Sequence, residues 1–202
     1  MKDKFEFYHD YYFRELDRKN EINSSLSIPI GLITALSGGL SYLLTNFEYH
    51  LNLWLTIPFM IATGAGLFFL ILSVYNLIKA YTNFPGRYEY ILIADVDVIE
   101  RYHGDLKKYY ASKPSSPNLA DQEFEDYIVS EMVKNTGVNQ RNNKKKTKFS
   151  YNCEKYLISA LILISLSLLF FSVDYGLKPE KKPSFNAKIT PPATIEIIQN
   201  SK

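Results

Sequence analysis

Residues 22–47 read INSSLSIPIGLITALSGGLSYLLTNF, and after Glu48 residues 49–78 read YHLNLWLTIPFMIATGAGLFFLILSVYNLI. Neither run contains an Asp, Glu, Lys or Arg. A membrane-spanning helix needs about 20 mostly apolar residues, and each run is longer than that. The connection at 46–52 is short, which predicts an antiparallel transmembrane hairpin. A hairpin in a soluble core is the alternative, but it would not need two successive uncharged runs of this length.

A third uncharged run, 156–173, lies between Lys155 and Asp174 and has the length of a spanning helix. We therefore predict an all-α integral membrane protein, with a transmembrane helical hairpin plus a third transmembrane helix and a small, mostly helical cytosolic segment between them. The predicted boundaries are 1–21 for an N-terminal amphipathic helix, 22–80 for the hairpin, 81–154 for the cytosolic segment, 155–174 for the third transmembrane helix and 175–202 for a flexible tail with Pro and Lys.

The N-terminal helix is predicted from apolar and aromatic residues at helical spacing: Phe5, Tyr8, Tyr12 and Leu16. Tyrosine rings suit a membrane interface because the ring is buried while the hydroxyl stays wet. Two interpretations stay open. The helix lies in the interface, or it extends the first span into the cytosol.

Small residues recur along both runs of the hairpin. Such residues let helix backbones approach closely, and in lipid it is close packing that holds helices together. We expect a helix-packing seam that serves a homo-oligomer, packing within one chain, or both. Its residues are Ser27, Gly31, Thr34, Ala35, Gly38, Gly39, Ala62 and Gly66.

The orientation follows from the distribution of Lys and Arg, which favour the cytosolic side. The predicted loop 46–52 has none, whereas the flanks of the hairpin are basic. The N-terminus and the middle segment are therefore expected in the cytosol and the loop outside. A third span would put the C-terminus outside as well.

The middle segment is predicted to contain a turn at 83–86, an extended stretch at 88–93 and two helices. The first helix begins near Asp97, with Glu100 three residues on, and runs to about Ala111. Asn118 can cap the second helix, which has apolar residues on one face. A linker, 113–118, separates the two helices.

A basic run precedes the third span and is a candidate site for contact with lipid or a partner. Three interpretations stay open: positive-inside anchoring, capture of anionic lipid headgroups, and contact with a phosphate-bearing partner such as RNA or DNA. The near-balanced net charge of +2 argues against a general nucleic-acid binder. The basic residues are Arg141, Lys144, Lys145, Lys146 and Lys148.

No catalytic, cofactor or metal motif is found in the sequence. The three histidines are isolated, no phosphate-binding glycine loop is present, and Cys153 is the only cysteine. We therefore expect a protein that is not an enzyme and that needs no cofactor or metal. The predicted spans carry no charge, which argues against an ion-coupled transporter.

Six short patterns are distinctive: YYFRELDRK (11–19), SIPIGLIT (27–34), YEY (88–90), IERY (99–102), LKKYY (106–110) and NQRNNKKK (139–146). Together they resemble small bacterial membrane proteins that act as effectors in anti-phage systems, most of all the transmembrane effector that accompanies retron reverse transcriptases. The likeness covers most of the chain up to Val173 and leaves out the proline-rich tail. It carries no catalytic signature.

The resemblance implies a multi-pass protein of the bacterial inner membrane that is held inert by a partner, a reverse transcriptase with its RNA–DNA product. Phage infection would release it to form a homo-oligomer, permeabilise the inner membrane and cause abortive infection. A second hypothesis is a non-catalytic membrane anchor or accessory subunit that recruits a soluble partner through 81–154. A third is a small housekeeping transporter or channel.

Overall fold

The computed structural model describes residues 4–49, 53–111, 113 and 118–177. The predicted tail from residue 178 onwards and residues 50–52 of the predicted hairpin loop lie outside these described residues. No strand occurs in the described ranges. The helices are α1 (Lys4–Ser25), α2 (Ser27–Asn46), α3 (Leu53–Thr82), α4 (Val96–Ala111) and α5 (Asn118–Gly176).

Three helical stretches are long and apolar enough to cross a membrane: Lys4–Asn46, Leu53–Thr82 and Asn118–Gly176. In their most apolar windows only 17%, 33% and 28% of the residues are buried inside the protein. A water-soluble protein rarely leaves apolar surface of that extent uncovered, so these windows suit contact with lipid. The sequence-based prediction of an all-helical, multi-pass membrane protein is confirmed at this level.

Two halves of the molecule differ in composition. The apolar half consists of α2, α3 and residues 156–176 of α5. The polar half consists of α1, residues 83–111 and residues 118–155 of α5. Both α5 and the α1–α2 pair extend through both halves, so the two halves share their long helices.

The third predicted span is the C-terminal part of one continuous helix. α5 has 59 residues, which corresponds to a length of about 90 Å. It begins at Asn118, where the sequence predicts a helix start. α1 and α2 are likewise separated only at Leu26, so the N-terminal helix extends the first span, one of the two interpretations left open by the sequence.

The main packing partner of α3 is α5, and α2 and α3 share few contacts. Gly66 of the predicted packing seam accordingly packs on α5 of the same chain, where Ile164 is its neighbour. Thr63 lies beside Ser167 and Ser73 beside Cys153, so α3 runs antiparallel to α5. α2 runs parallel to α5. Near the chain reversal the rings of Phe47 and Phe59 stack at 3.8 Å.

Small and hydroxyl-bearing residues fill the α3–α5 interface. The Thr63 hydroxyl donates to Ser167 Oγ at 3.0 Å, and the Ser73 hydroxyl donates to the Cys153 carbonyl at 3.0 Å. A Cβ placed on Gly66 would lie 3.0 Å from Cγ1 of Ile164. The absence of a side chain at Gly66 is therefore what lets the two helices approach at this point.

The apolar face of α1 packs on α5 in the polar half. Tyr12, Ile128 and Met132 form a buried cluster, with Phe5, Tyr8 and Leu16 at its edge. This face of α1 is covered by protein and not by lipid. α4 packs on α5 through the ring of His103, which stacks on Phe124 at 4.1 Å.

Residues 87–95, here called the connecting segment, join the turn after α3 to α4. The turn begins at Asn83, whose φ of 56° is left-handed, as is common just after a helix end. It follows Thr82, the last residue of α3, where the sequence predicts a turn. The connecting segment then lies along α1 and α5.

Candidate functional site

Three asparagines of α5 form a buried polar row in the polar half. Asn135, Asn139 and Asn143 are four residues apart, so they share one face of the helix, and each is 0% exposed. A buried amide is stable only when its donors and acceptors find partners. The partners here come from the connecting segment and from α1.

Asn139 binds the backbone of the connecting segment as a neighbouring strand would. Its Nδ2 donates to the Ile91 carbonyl at 3.0 Å, and its Oδ1 accepts from the Ile91 amide at 3.0 Å. Asn135 makes a longer bond of 3.3 Å to the Leu92 carbonyl, and its Oδ1 has no hydrogen-bond partner among the described residues. The Ile93 amide donates to the Tyr12 hydroxyl at 3.1 Å.

Asn143 joins α1 to the same segment. Its Nδ2 donates to the carbonyl and to the carboxylate of Glu15, at 2.7 and 2.9 Å. Its Oδ1 accepts from the Tyr90 hydroxyl at 2.7 Å. Glu15 is buried and also lies 3.8 Å from Arg18, so its negative charge is already matched by a cation.

A cavity of about 580 Å³ lies beside this polar row, where the polar half meets the apolar half. α1, the connecting segment and α5 each contribute one cation to it, and the end of α3 completes the wall. Among the residues that the structure describes, no Asp or Glu lies in its lining. The lining includes Lys19, Asn23, Arg87, Tyr88, Tyr90 and Lys146.

Lys146 is the most buried of these cations, at 3% exposure. Its ammonium donates to Oδ1 of Asn23 at 2.6 Å and lies over the rings of Tyr88 and Tyr90, 5.2 and 5.7 Å from their centroids. Lys19 lies 4.6 Å from the Tyr90 centroid. Aromatic faces attract cations, so the two tyrosines hold both lysines at the cavity.

The pKa values in the cavity follow from burial and charge. Burial raises the pKa of Tyr90 to about 12, with smaller contributions from Tyr88 and Glu15. Burial lowers the pKa of Lys146, and the nearby charge of Lys19 lowers it further. The cavity is therefore an electropositive site in which two cations repel each other.

A titration of Tyr90 follows from this environment. Its pKa of about 12 in the folded protein exceeds the ordinary 10.0. The stability it contributes is therefore full below pH 10 and is lost as the pH rises through 12. We expect the phenolate absorbance of the native wild type minus that of Tyr90→Phe to rise near pH 12. A difference that rises near pH 10 would contradict this environment.

The structure separates the five basic residues of the predicted contact site. Arg141, Lys144, Lys145 and Lys148 are exposed, whereas Lys146 is buried and faces the cavity. The basic run therefore consists of four solvent-exposed cations and one buried cation, Lys146. Which ligand or partner the exposed residues contact stays a prediction.

The predicted packing seam is also divided. Ala62 and Gly66 lie in the α3–α5 interface, with both residues buried. The residues on α2 are exposed, and a Cβ added at Gly31, Gly38 or Gly39 would meet nothing within 4 Å. The exposed seam residues are Ser27, Gly31, Thr34, Ala35, Gly38 and Gly39.

Sequence reasoning missed the asparagine row and the cavity. A signal was present in the repeat of Asn135, Asn139 and Asn143 at intervals of four. Some acidic and histidine side chains contact each other, such as His103 Nε2 and Asp121 Oδ1 at 2.8 Å. Within the described ranges, no group of three or more His, Cys, Asp or Glu side chains could hold a metal ion.

Comparison of the chain with protein-family models, with curated proteins and with solved structures finds no match. The function is therefore argued from the geometry and from the resemblance described above.

Proposed function

We propose that this protein is a membrane effector that associates with further copies of itself through α2 and thereby permeabilises the bilayer. One observation carries the proposal: α2 presents a continuous stripe of small and hydroxyl-bearing residues that no other part of the described chain covers. The stripe has alternating steps of four and three residues, as in a helix–helix seam. It consists of Ser27, Gly31, Thr34, Gly38, Ser41 and Thr45, all exposed.

A second copy of the chain is the occupant that suits this stripe. Lipid chains fill the space beside a glycine less well than a second helix does, since dispersion contacts need close approach. The chain already uses such an approach once, between Gly66 and Ile164. α2 is also the span least attached to the others, because α3 packs mainly on α5. α2 can therefore meet a partner while the α3–α5 pair stays intact.

The hydroxyls of the stripe give an assembly a polar surface. Thr34 and Thr45 donate to the carbonyls four residues earlier at 2.9 Å, so their donors are satisfied within the helix. Their oxygens keep a free lone pair, which can accept a bond from water or from a neighbouring chain. Several copies that bring these stripes together would surround a polar path through lipid.

The proposal includes control by a soluble partner at the polar half. The resemblance to retron-associated effectors implies a reverse transcriptase with its RNA–DNA product as that partner, and antiviral defence by abortive infection as the outcome. Positively charged flanks favour the cytosolic side, which puts the polar half and the N-terminus in the cytosol of a bacterium and the C-terminus outside the inner membrane. The alternative function, a membrane anchor that recruits a soluble partner, uses the same surface without permeabilisation.

Bulky residues in the stripe test this proposal. We expect expression of the wild-type chain without a partner to depolarise the inner membrane, as read by a potential-sensitive dye. Gly31→Leu with Gly38→Leu should abolish depolarisation and self-association, measured by crosslinking in membranes. The monomer should stay folded because, apart from the adjoining residues and backbone of α2 itself, no described atom lies within 4 Å of either added Cβ.

Gly64→Leu is the matched control, since its Cβ would also meet nothing within 4 Å but on α3. It should depolarise the membrane as the wild type does. An intact potential with the wild-type chain would favour the anchor. Unchanged self-association and depolarisation in the double variant would rule out the α2 stripe as the seam.

A further inference from the structure

The cavity beside the asparagine row has three cations, and its described lining contains no carboxylate to balance them. Lys146 is buried, and buried charges in proteins are normally paired or coordinated. No carboxylate of the described residues forms an ion pair with Lys146, or with Lys19 and Arg87 beside it. Glu15, the buried acidic residue of α1, already has Arg18 and Asn143 as partners.

Lys146 has more hydrogen-bond donors than the described residues provide acceptors for. An ammonium carries three donors, and among the described residues a single hydrogen-bond acceptor, Oδ1 of Asn23, is paired with it. Tyr88 and Tyr90 use their hydroxyls elsewhere, on the Lys79 carbonyl and on Asn143. The rings therefore position the lysine while its remaining donors stay available to a ligand.

The volume and the position of the cavity limit the kinds of ligand that it can bind. Its volume of about 580 Å³ is within the usual range of small-molecule sites, about 300–1,000 Å³. It lies at the end of α3 and beside the α1–α2 junction, where the apolar half stops. This is the level at which the headgroup of a lipid would lie, and it is also open to solutes.

We propose that this cavity binds a phosphate group through Lys19, Arg87 and Lys146. The three positive charges are more than enough to neutralise a phosphate monoester, which carries up to two negative charges. Arg87 supplies a planar pair of donors that fits two phosphate oxygens, and the lysines act as point charges. The phosphate belongs either to an anionic lipid headgroup or to a soluble phosphate compound. The inference is independent of the proposed effector function.

Full-length protein in an uncharged detergent tests the soluble source. Inorganic phosphate should raise the melting temperature, whereas chloride at equal ionic strength should not. Lys146→Met and Arg87→Gln should each raise the apparent Kd for phosphate by about tenfold or more, since each removes a charge-assisted contact. Arg87 is exposed, so its variant serves if Lys146→Met folds poorly. Lys145→Met, an exposed neighbour in the same basic run, should bind phosphate as the wild type does.

Nanodiscs test the lipid source. The same proteins are placed in phosphatidylcholine with or without phosphatidic acid, and the melting temperature is read again. If phosphatidic acid stabilises the protein and inorganic phosphate does not, the cavity binds a lipid headgroup. This stabilisation should be lost in Lys146→Met and kept in Lys145→Met. Stabilisation by inorganic phosphate with the same variant pattern would assign it to a soluble ligand. The proposal is overturned if neither probe stabilises the wild type. It is also overturned if the stabilisation by the probe falls as much in Lys145→Met as in Lys146→Met.

Discussion

Gly66→Ile is expected to lower the free energy of unfolding by about 1–3 kcal/mol, the usual cost of extra bulk in a packed interface. A Cβ at this position already lies 3.0 Å from Cγ1 of Ile164 and 3.6 Å from its backbone nitrogen. The Ile164 side chain can yield to a Cβ alone, but the backbone of α5 cannot yield to the branched carbons beyond it. The two helices must then move apart.

The separation should also weaken the polar contacts on either side of Gly66. The Thr63–Ser167 bond is 3.0 Å long and buried, so a small displacement of α3 lengthens it. Hydrogen bonds between membrane helices contribute about 0.6 kcal/mol on average, which makes this a secondary loss. Steric repulsion at Gly66 is therefore the main effect.

Gly64→Ile is the control for the change in helix propensity and hydrophobicity. It lies on the same helix, and its added Cβ would meet nothing within 4 Å. Both variants exchange glycine for isoleucine, so the difference between their unfolding curves in detergent isolates the contact with Ile164. Ile164→Ala combined with Gly66→Ile should recover part of the loss, because coupled neighbours are not additive. Equal stability of the two single variants would show that α3 and α5 are not packed at this distance.

The sequence predicts the spans because lipid imposes a simple requirement, a long run without charge. It also predicts the starts of α4 and α5 to within one residue, near Asp97 and at Asn118, although Asp97 lies inside the first turn of α4 and does not cap it. It does not predict which spans touch. Small residues occur in both α2 and α3. They indicate that another helix can pack closely against each of them, but they do not indicate which helix that is. Contact between Gly66 and Ile164 joins residues far apart in the chain, and a local pattern does not contain that information.

The cavity is hidden in the sequence for a different reason. Lys146 lies in a basic run beside a span, where solvated lysines are common, so its residue type does not set it apart from Lys144 or Lys145. Its burial follows from its position on the helix. It comes three residues after Asn143 and so shares the face that meets α1 and the connecting segment. Only the packing of α1 and the connecting segment against α5 makes that face internal.

Asn139→Ala should lower the free energy of unfolding by about 1–3 kcal/mol, since it removes two hydrogen bonds that each contribute about 0.5–1.5 kcal/mol. Both bonds go to the backbone of Ile91, one from its amide and one to its carbonyl, at 3.0 Å each. Alanine can replace neither. The connecting segment would keep fewer attachments, among them the bond from the Ile93 amide to the Tyr12 hydroxyl.

Asn135→Ala is the matched control on the same face of α5. Asn135 donates one longer bond of 3.3 Å, and its Oδ1 has no partner among the described residues. Removing it also removes an unsatisfied buried oxygen, so its cost should be smaller than that of Asn139→Ala. Hydrogen exchange gives the local measurement: the Ile91 amide should exchange faster in Asn139→Ala than in Asn135→Ala. Equal exchange in the two variants would contradict the reciprocal pair.

The Asn139→Ala variant also tests whether the packing of the connecting segment supports the cavity. The connecting segment carries Arg87 to the cavity, together with the rings of Tyr88 and Tyr90 that hold Lys146. Loosening the segment should therefore weaken phosphate binding although every cation is still present. Lys146→Met should weaken binding while the Ile91 amide stays protected. If Asn139→Ala exposes that amide and leaves phosphate binding intact, the lysines alone form the site, and Arg87 is not part of it.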